Sequence, residues 1–270
     1  MTRSKGILKR LANYLGFEVY RRPKDVGARP HSPTTNRQLD LSRAHLITDA
    51  PIENLKDVRF VERLLLQLGL NDEMLHEFPG ELHQYTGQGL LSWQYPNQFS
   101  RLLVKLSEYP VRSYMEIGAH HGGTFVIVCE YLRHFNPDFE TALAIDKVPS
   151  DSLAKIAGTY PGVEYLVCDS RAPECRAFLA DRSIDLVLID GDHSLDACMG
   201  DFELVRDRAG FVVLHDISST VCPGVCATWQ HIKAIHGERY DFFEFLDQYE
   251  DVYRRTGNSY MGFGLAVRRT

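Results

Sequence analysis

The sequence predicts an α/β chain, a Rossmann-like doubly wound sheet with helices on both faces, preceded by a helical extension. Three observations carry this reading. Short apolar runs alternate with segments of helical periodicity, each run ends on a polar or acidic residue, and the first run passes directly into a Gly-rich turn that opens a helix. In open α/β sheets the carboxyl ends of the strands form the ligand edge, so polar residues repeated there define a candidate site.

The chain begins with a basic segment. Residues 1–24 gather Arg3, Lys5, Lys9, Arg10, Arg21, Arg22 and Lys24 against one acid, Glu18, while Ile7, Leu8, Leu11, Leu15 and Val19 recur near helical spacing. Two readings fit this amphipathic helix: an arm packed on the core, or a peripheral contact of residues 3–24 with an anionic membrane surface. Pro23 to Asn36 lacks periodicity and reads as a linker, so residues 1–36 form an arm and linker.

Residues 37–108 are expected to form a helical lid. Val58, Val61, Leu64, Leu65 and Leu68 mark a helix that starts at Asp57 and stops at Gly69. A polar helical segment is expected over Glu73 to Tyr85. A third helix, Pro96 to Tyr109, carries Phe99, Leu102, Leu103 and Leu106 on one face, and Gln94, Tyr95, Pro96 and Gln98 are placed to close over a ligand.

Residues 109–270 form the sheet domain. Its first strand ends at Glu116-Ile117 and runs into Gly118-Ala119-His120-His121-Gly122-Gly123. Glycines allow the backbone to approach a ligand closely. The Gly-x-x-x-Gly-Gly spacing differs from the Gly-x-Gly-x-x-Gly of dinucleotide enzymes, and an acid before the turn suits a ligand with a cationic or zwitterionic end. Ala142 to Ile145 ends at Asp146, about thirty residues on, where doubly wound sheets place the carboxylate that binds ribose hydroxyls. Val163 to Cys168 stops at Asp169-Ser170. Ile184 to Ile189 stops at Asp190 and opens into Gly191-Asp192-His193-Ser194. Gly210 to Leu214 stops at His215-Asp216. After the Asp190 strand, Ser194 suits a helix N-cap, with Leu195, Cys198, Phe202 and Val205 as the buried stripe. Tyr260 to Val267 alternates as a closing strand.

Composition bounds the function. The chain has 270 residues, 44% hydrophobic and 24% charged, with a formal charge of −6. That charge argues against a nucleic-acid binder, which needs a basic face, and favours a small-molecule or glycan acceptor. The six cysteines fall partly inside apolar strands, as buried thiols do in a reducing compartment. Cys222 and Cys226 complete no zinc spacing. No apolar run reaches the roughly 18 residues that span a bilayer, and Lys9 and Arg10 interrupt any secretory signal, so a cytoplasmic protein is expected, peripheral to the membrane if the arm docks. Its oligomeric state stays open, a homo-oligomer included.

These residues resemble the class I S-adenosylmethionine-dependent methyltransferases. Over about residues 92–270, Glu116-Ile117-Gly118 to Thr124, Leu188 to Ser194 and Leu214-His215-Asp216 are similar to the subgroup containing macrolide-sugar O-methyltransferases and cephalosporin-hydroxylase-like proteins. The resemblance implies that Glu116, Gly118 and Gly122 line the methionine end of the cofactor, Asp146 holds the ribose, and Asp169 and Ser170 flank the adenine. His120 and His121 shape the cofactor pocket or face solvent, with His121 the cofactor-binding candidate. Metal-dependent relatives use an Asp matching Asp190 and acidic residues after the next strand, matching Asp216. Where those relatives show two adjacent acids, this chain has His215-Asp216.

The implied reaction is O-methylation of a hydroxyl on a sugar, glycan or natural-product scaffold. A sulfonium donor is already activated, so the protein must align the acceptor and remove its proton. His193 has a suitable pKa and is the first candidate base, His215 the second; His193 would equally suit a helix cap. Asp190 and Asp216, with His215 as a third ligand, could hold Mg²⁺ or another divalent cation; alternatively Asp190 orders the cofactor loop and His215 is a satisfied buried histidine. Competing readings are a catalytically silent methyltransferase-like scaffold or binding module, and a metallo-hydrolase, which leaves the Gly turn and Asp146 unexplained. A nicotinamide oxidoreductase is disfavoured by the Gly spacing.

Overall fold

The structure, a computed structural model, describes residues 38–269 and a two-residue strand at Val19–Tyr20. Seven further strands are labelled β1 Ser113–Ile117, β2 Thr141–Asp146, β3 Val163–Val167, β4 Leu186–Ile189, β5 Phe211–Leu214, β6 Tyr240–Phe245 and β7 Phe263–Arg268. They form one sheet in the order β3-β2-β1-β4-β5-β7-β6, with Val19–Tyr20 antiparallel on the β3 edge. β1 to β5 are parallel, and β7 is antiparallel to both β5 and β6. The order reverses between β1 and its neighbours β2 and β4. A doubly wound sheet opens its ligand crevice at that switch point.

Alternation along the strands divides the core. Tyr114, Leu186 and Leu188 pack into one apolar cluster, while Met115, Ile117, Val187 and Ile189 pack into another. A period of two thus feeds both faces, and both are covered by helices. α1 Val58–Leu68, α2 Pro96–Leu106 and α3 Gly123–Phe135 cover the first face; α5 Pro173–Leu179, α6 Leu195–Val205 and α7 Pro223–His236 cover the second. α4 Asp151–Thr159 links β2 to β3, and α8 Glu250–Thr256 links β6 to β7.

α1 begins and ends where the sequence placed it: the Asp57 side chain accepts from Phe60 N–H, and Gly69 takes the C-cap position. The helices of residues 37–108 are not a separate lid. Val61, Leu64, Leu65, Phe99, Leu102 and Leu103 share one cluster with Phe125 and Ile127 of α3. Of this segment, Met74, Glu77, Leu91, Trp93 and Gln94 reach the ligand edge.

Other expectations are corrected. Glu73 to Tyr85 is no continuous helix but two 3₁₀ turns, Leu75–Glu77 and Gly80–Tyr85. Pro79 lies between them, and a residue without an N–H cannot carry a helix through. Leu195 is 46% exposed, so the buried stripe of α6 begins at Ala197 and Cys198. Ser194 makes no side-chain cap; the Asp192 carboxylate accepts from Ser194 N–H at 3.0 Å. Val19, counted with the amphipathic helix, pairs in a strand with Leu166. The rest of the basic arm and the linker lie outside the described residues. Among the described residues no helix is long and apolar enough to cross a membrane, and all six cysteines are free.

Candidate active site

The carboxyl ends of β1, β2, β3, β4 and β5 enclose one cavity of about 540 Å³, the size of a small-molecule or cofactor site. Glu116, Gly118, His121, Asp146, Asp169, Ser170, Asp190, His193, His215 and Asp216 all line it. Gly122 does not, which corrects the role expected for it. It caps α3 at φ 92°, and a Cβ there would meet Leu153 and Ile156 of α4.

The glycines of the turn serve the protein's own backbone. At Gly118, φ is 86° and a Cβ would stand 2.1 Å from the carbonyl oxygen of Asp190. At Gly123 it would stand 1.9 Å from that of Leu90. The turn therefore docks against β4 on one side and against the segment before α2 on the other, which brings Leu91, Trp93 and Gln94 to the cavity.

Strain concentrates here. The four non-glycine residues with positive φ among those described, Leu91 (54°), His120 (50°), Asp216 (61°) and Met261 (61°), all line the cavity. Each costs on the order of 1–3 kcal/mol, and such residues cluster at functional sites.

Glu116 forms the buried floor, 1% exposed, with the Tyr114 hydroxyl donating to it at 2.5 Å. Burial, with the carboxylates of Asp190 and Asp146 nearby, pushes its carboxyl up to about 8. The folded protein then keeps a proton that the unfolded chain releases near 4.5. Stability from this group is complete below 4.5 and falls by about 1.4 kcal/mol per pH unit until 8. We expect Glu116→Gln to flatten that slope in the ligand-free protein, with denaturant melts of both forms at pH 5 and 8 as the check; parallel curves would show an ionised Glu116 throughout.

At the end of β2, Asp146 accepts from His120 N–H at 2.7 Å and from Val148 N–H at 2.8 Å, one bond on each oxygen. Two lone-pair sites remain for a diol. Burial raises its carboxyl. Beyond β3, the Arg171 side chain and N–H engage both oxygens of Asp169. The Ser170 hydroxyl donates to Asp201 of α6 at 2.5 Å.

The β4 and β5 ends hold two carboxylates and two imidazoles. Asp190 Oδ1 lies 3.0 Å from His215 Nδ1 and 3.7 Å from His193 Nε2; Asp216 Oδ2 lies 3.4 Å and 3.3 Å from the same two nitrogens. Burial alone would raise the Asp190 carboxyl, but His215 and His193 hold it well below the usual carboxylate range. His193 is raised to about 11, chiefly by the carboxylate of Asp190 and also by Cys222, whose sulfur is 3.4 Å from Nδ1. His215 is pushed down by burial and further up by Asp190 and Asp216, to about 10. The N-cap position of α6 belongs to Ser194, so His193 is no helix cap. Its ring is 43% exposed at the cavity, whereas that of His215 is 5% exposed against Phe263.

Three contributors escaped the sequence reading in whole or part. Gln94, expected only to close over a ligand, donates from Nε2 to Asp190 Oδ2 at 3.2 Å, and its Oε1 is buried without a partner. Glu73 and Asp201 carried no signal, since neither stands at the end of an apolar strand. Trp229 is fully buried in the core, with its indole N–H donating to Glu244.

The sheet has the doubly wound, Rossmann-like order that the strand ends implied, with the candidate residues at its carboxyl edge. Residues 115–217 match the profile of a protein family described as a methyltransferase domain. Similar solved structures include the O-methyltransferase from Bacillus cereus in complex with SAH, at 15% identity over 84% of this chain and 97% of that one, TM-score 0.44. Another is TomG from Streptomyces achromogenes, an O-methyltransferase involved in tomaymycin synthesis, in complex with SAM (18%, 75% and 92%, TM-score 0.46). A third is CalS11, a TDP-rhamnose 3'-O-methyltransferase of calicheamicin biosynthesis (14%, 84% and 91%, TM-score 0.46). No curated protein matches the chain.

Proposed function

We propose that the chain transfers a methyl group from S-adenosylmethionine to a hydroxyl of a sugar, glycan or natural-product scaffold, assisted by a divalent cation. The observation that carries this reading is the division of one cavity into a donor-type half and a proton-handling half. Glu116 on the floor, the orphaned Gln94 Oε1 and the spare acceptor sites of Asp146 fit a ligand with a cationic amino-acid end and a ribose diol. Asp190, His193, His215 and Asp216 fit the activation of an acceptor oxygen.

Bound S-adenosylmethionine supplies an activated methyl group. Asp146 would orient the ribose, and Glu116 would counter the positive end within the floor, where a cationic neighbour favours its ionised form. The Asp169–Arg171 pair and Ser170 flank the remaining end. Asp190, Asp216 and His215 would hold a divalent cation, which lowers the pKa of a hydroxyl beside it. His193, exposed to the cavity, takes the hydroxyl proton on Nε2. His215 is too enclosed for that role and serves as a ligand and a packing group. Oxygen-rich donors suit Mg²⁺, whereas the imidazole admits Mn²⁺ as well.

Calorimetry with S-adenosylmethionine or S-adenosylhomocysteine tests the assignment. Asp146→Ala should weaken binding by one to two charge-assisted hydrogen bonds, roughly 1.5–3 kcal/mol each. Unchanged affinity in that variant, or tighter binding of a nicotinamide cofactor to the parent protein, would remove the donor from this pocket. The basic arm, residues 3–24, is proposed as a peripheral contact to anionic lipid.

A further inference from the structure

A second group of donor atoms stands at the turn after β1, apart from the Asp190 cluster. His120 and His121 are adjacent in sequence, yet both present Nε2 to the carboxylate of Glu73, His121 at 2.9 Å from Oε1 and His120 at 3.7 Å from Oε2. Neighbouring side chains on an extended backbone point to opposite sides. Here His120 sits at φ 50°, and the left-handed turn brings the two ring centroids within 3.8 Å. The strained residue between β1 and α3 is what makes these adjacent side chains converge.

From this convergence we propose that Glu73, His120 and His121 form a second divalent-metal site, selective for a transition ion such as Zn²⁺, Co²⁺ or Ni²⁺. One ligand atom from each lies within 4.8 Å of the others. Bonds of about 2.0–2.1 Å to imidazole nitrogen and carboxylate oxygen set ligand atoms roughly 3.4 Å apart on a tetrahedral ion. The observed 2.9 and 3.7 Å bracket that spacing. Two imidazoles with one carboxylate suit borderline ions rather than Mg²⁺ or Ca²⁺, which take oxygen.

The donors are held in place before any ion arrives. The His121 side chain is 2% exposed. His120 N–H is fixed to Asp146, and its ring lies 5.9 Å from that of Trp93. The Glu73 N–H donates to the buried Asn71 side chain at 2.7 Å. Both histidines line the cavity and His120 is 46% exposed, so the open coordination positions face the cavity and would take water or an oxygen ligand. An ion there would also tie the loop that carries Met74 and Glu77, both at the cavity wall, to the turn that holds Asp146.

Equilibrium dialysis of the full chain against Co²⁺, with bound metal counted by mass spectrometry and its visible spectrum recorded, tests the site. The expected result is one cobalt equivalent that persists in Asp190→Asn and is lost in Glu73→Gln and in His120→Asn. Asparagine tolerates the left-handed backbone, so His120→Asn removes the ligand and retains the turn. Equal loading of folded wild type and both variants would overturn the proposal and leave the cluster as an ion-paired latch. Should both variants unfold, the Asp190→Asn protein decides alone, because no cobalt bound there also overturns it. Failure of the Asp190 site instead shows as one wild-type equivalent that is indifferent to Asp190→Asn and sensitive to His120→Asn.

Discussion

Asp190→Asn is expected to lower turnover by roughly 10³–10⁴-fold, at the upper end of what one positioned acid–base group contributes. The reason is the number of groups that this carboxylate organises. It lies 3.0 Å from His215 Nδ1, accepts from Gln94 at 3.2 Å, and stands 3.7 Å from His193. Asparagine preserves the shape and removes the charge. A buried His215 imidazolium would keep only Asp216 as its counter-ion, so its pKa should fall, which histidine NMR resonances would report. Exhaustive chelation of the wild type should reproduce the loss of turnover and leave donor affinity largely intact, because the proposed donor contacts lie on Glu116 and Asp146. Full activity after chelation would remove the cation from the reaction; full activity of Asp190→Asn would remove the whole cluster.

The fold was legible because burial on both sheet faces leaves short apolar runs, and each run here is terminated by a side chain that only the ligand edge explains. Glu116, Asp146, Asp169, Asp190 and Asp216 all announce themselves in this way. β6 was missed: Tyr240–Phe245 follows a helix with no turn signal of the hairpin kind, and as the edge strand it pairs only with β7. Gly122 was misplaced because a glycine required by its own φ looks the same in sequence as one required by a ligand. Leu195 was assigned to the core on periodicity, whereas it falls on the first turn of α6, where the helix emerges from the sheet edge and half its surface stays in water.

The site was legible strand by strand and illegible across elements. Gln94 and Glu73 lie before β1 in sequence, in segments whose polar composition reads as surface. Gln94 lines the cavity, where Gly123 lets residues 90 and 91 pack against the start of α3, and Glu73 meets His120 and His121 at its wall. Positive φ at His120 and Asp216 is equally invisible in a chain of L-residues, since neither is a glycine. Yet those two conformations decide which atoms converge, on Glu73 in one case and on His193 and His215 in the other.

His193→Ala is expected to lose roughly 10²–10⁴-fold in rate at saturating donor, the range for one general base, with donor affinity barely changed. Geometry supplies the argument: Nε2 stands between Asp190 and Asp216, Nδ1 meets Cys222, and the ring opens to the cavity. The pH dependence sharpens it. With the Asp190 carboxylate raising it to about 11, His193 carries a proton at neutral pH when no cation is bound, and a protonated imidazole cannot accept another. A cation on the two carboxylates competes with that proton, so its binding should release protons and grow tighter as pH rises. The rate should therefore climb with pH, and saturating Mg²⁺ or Mn²⁺ should move the climb to lower pH. Turnover of His193→Ala beside His215→Ala, measured across pH once an acceptor is identified, separates the two imidazoles. A normal profile in the first and a collapsed one in a folded second would transfer the role of base to His215.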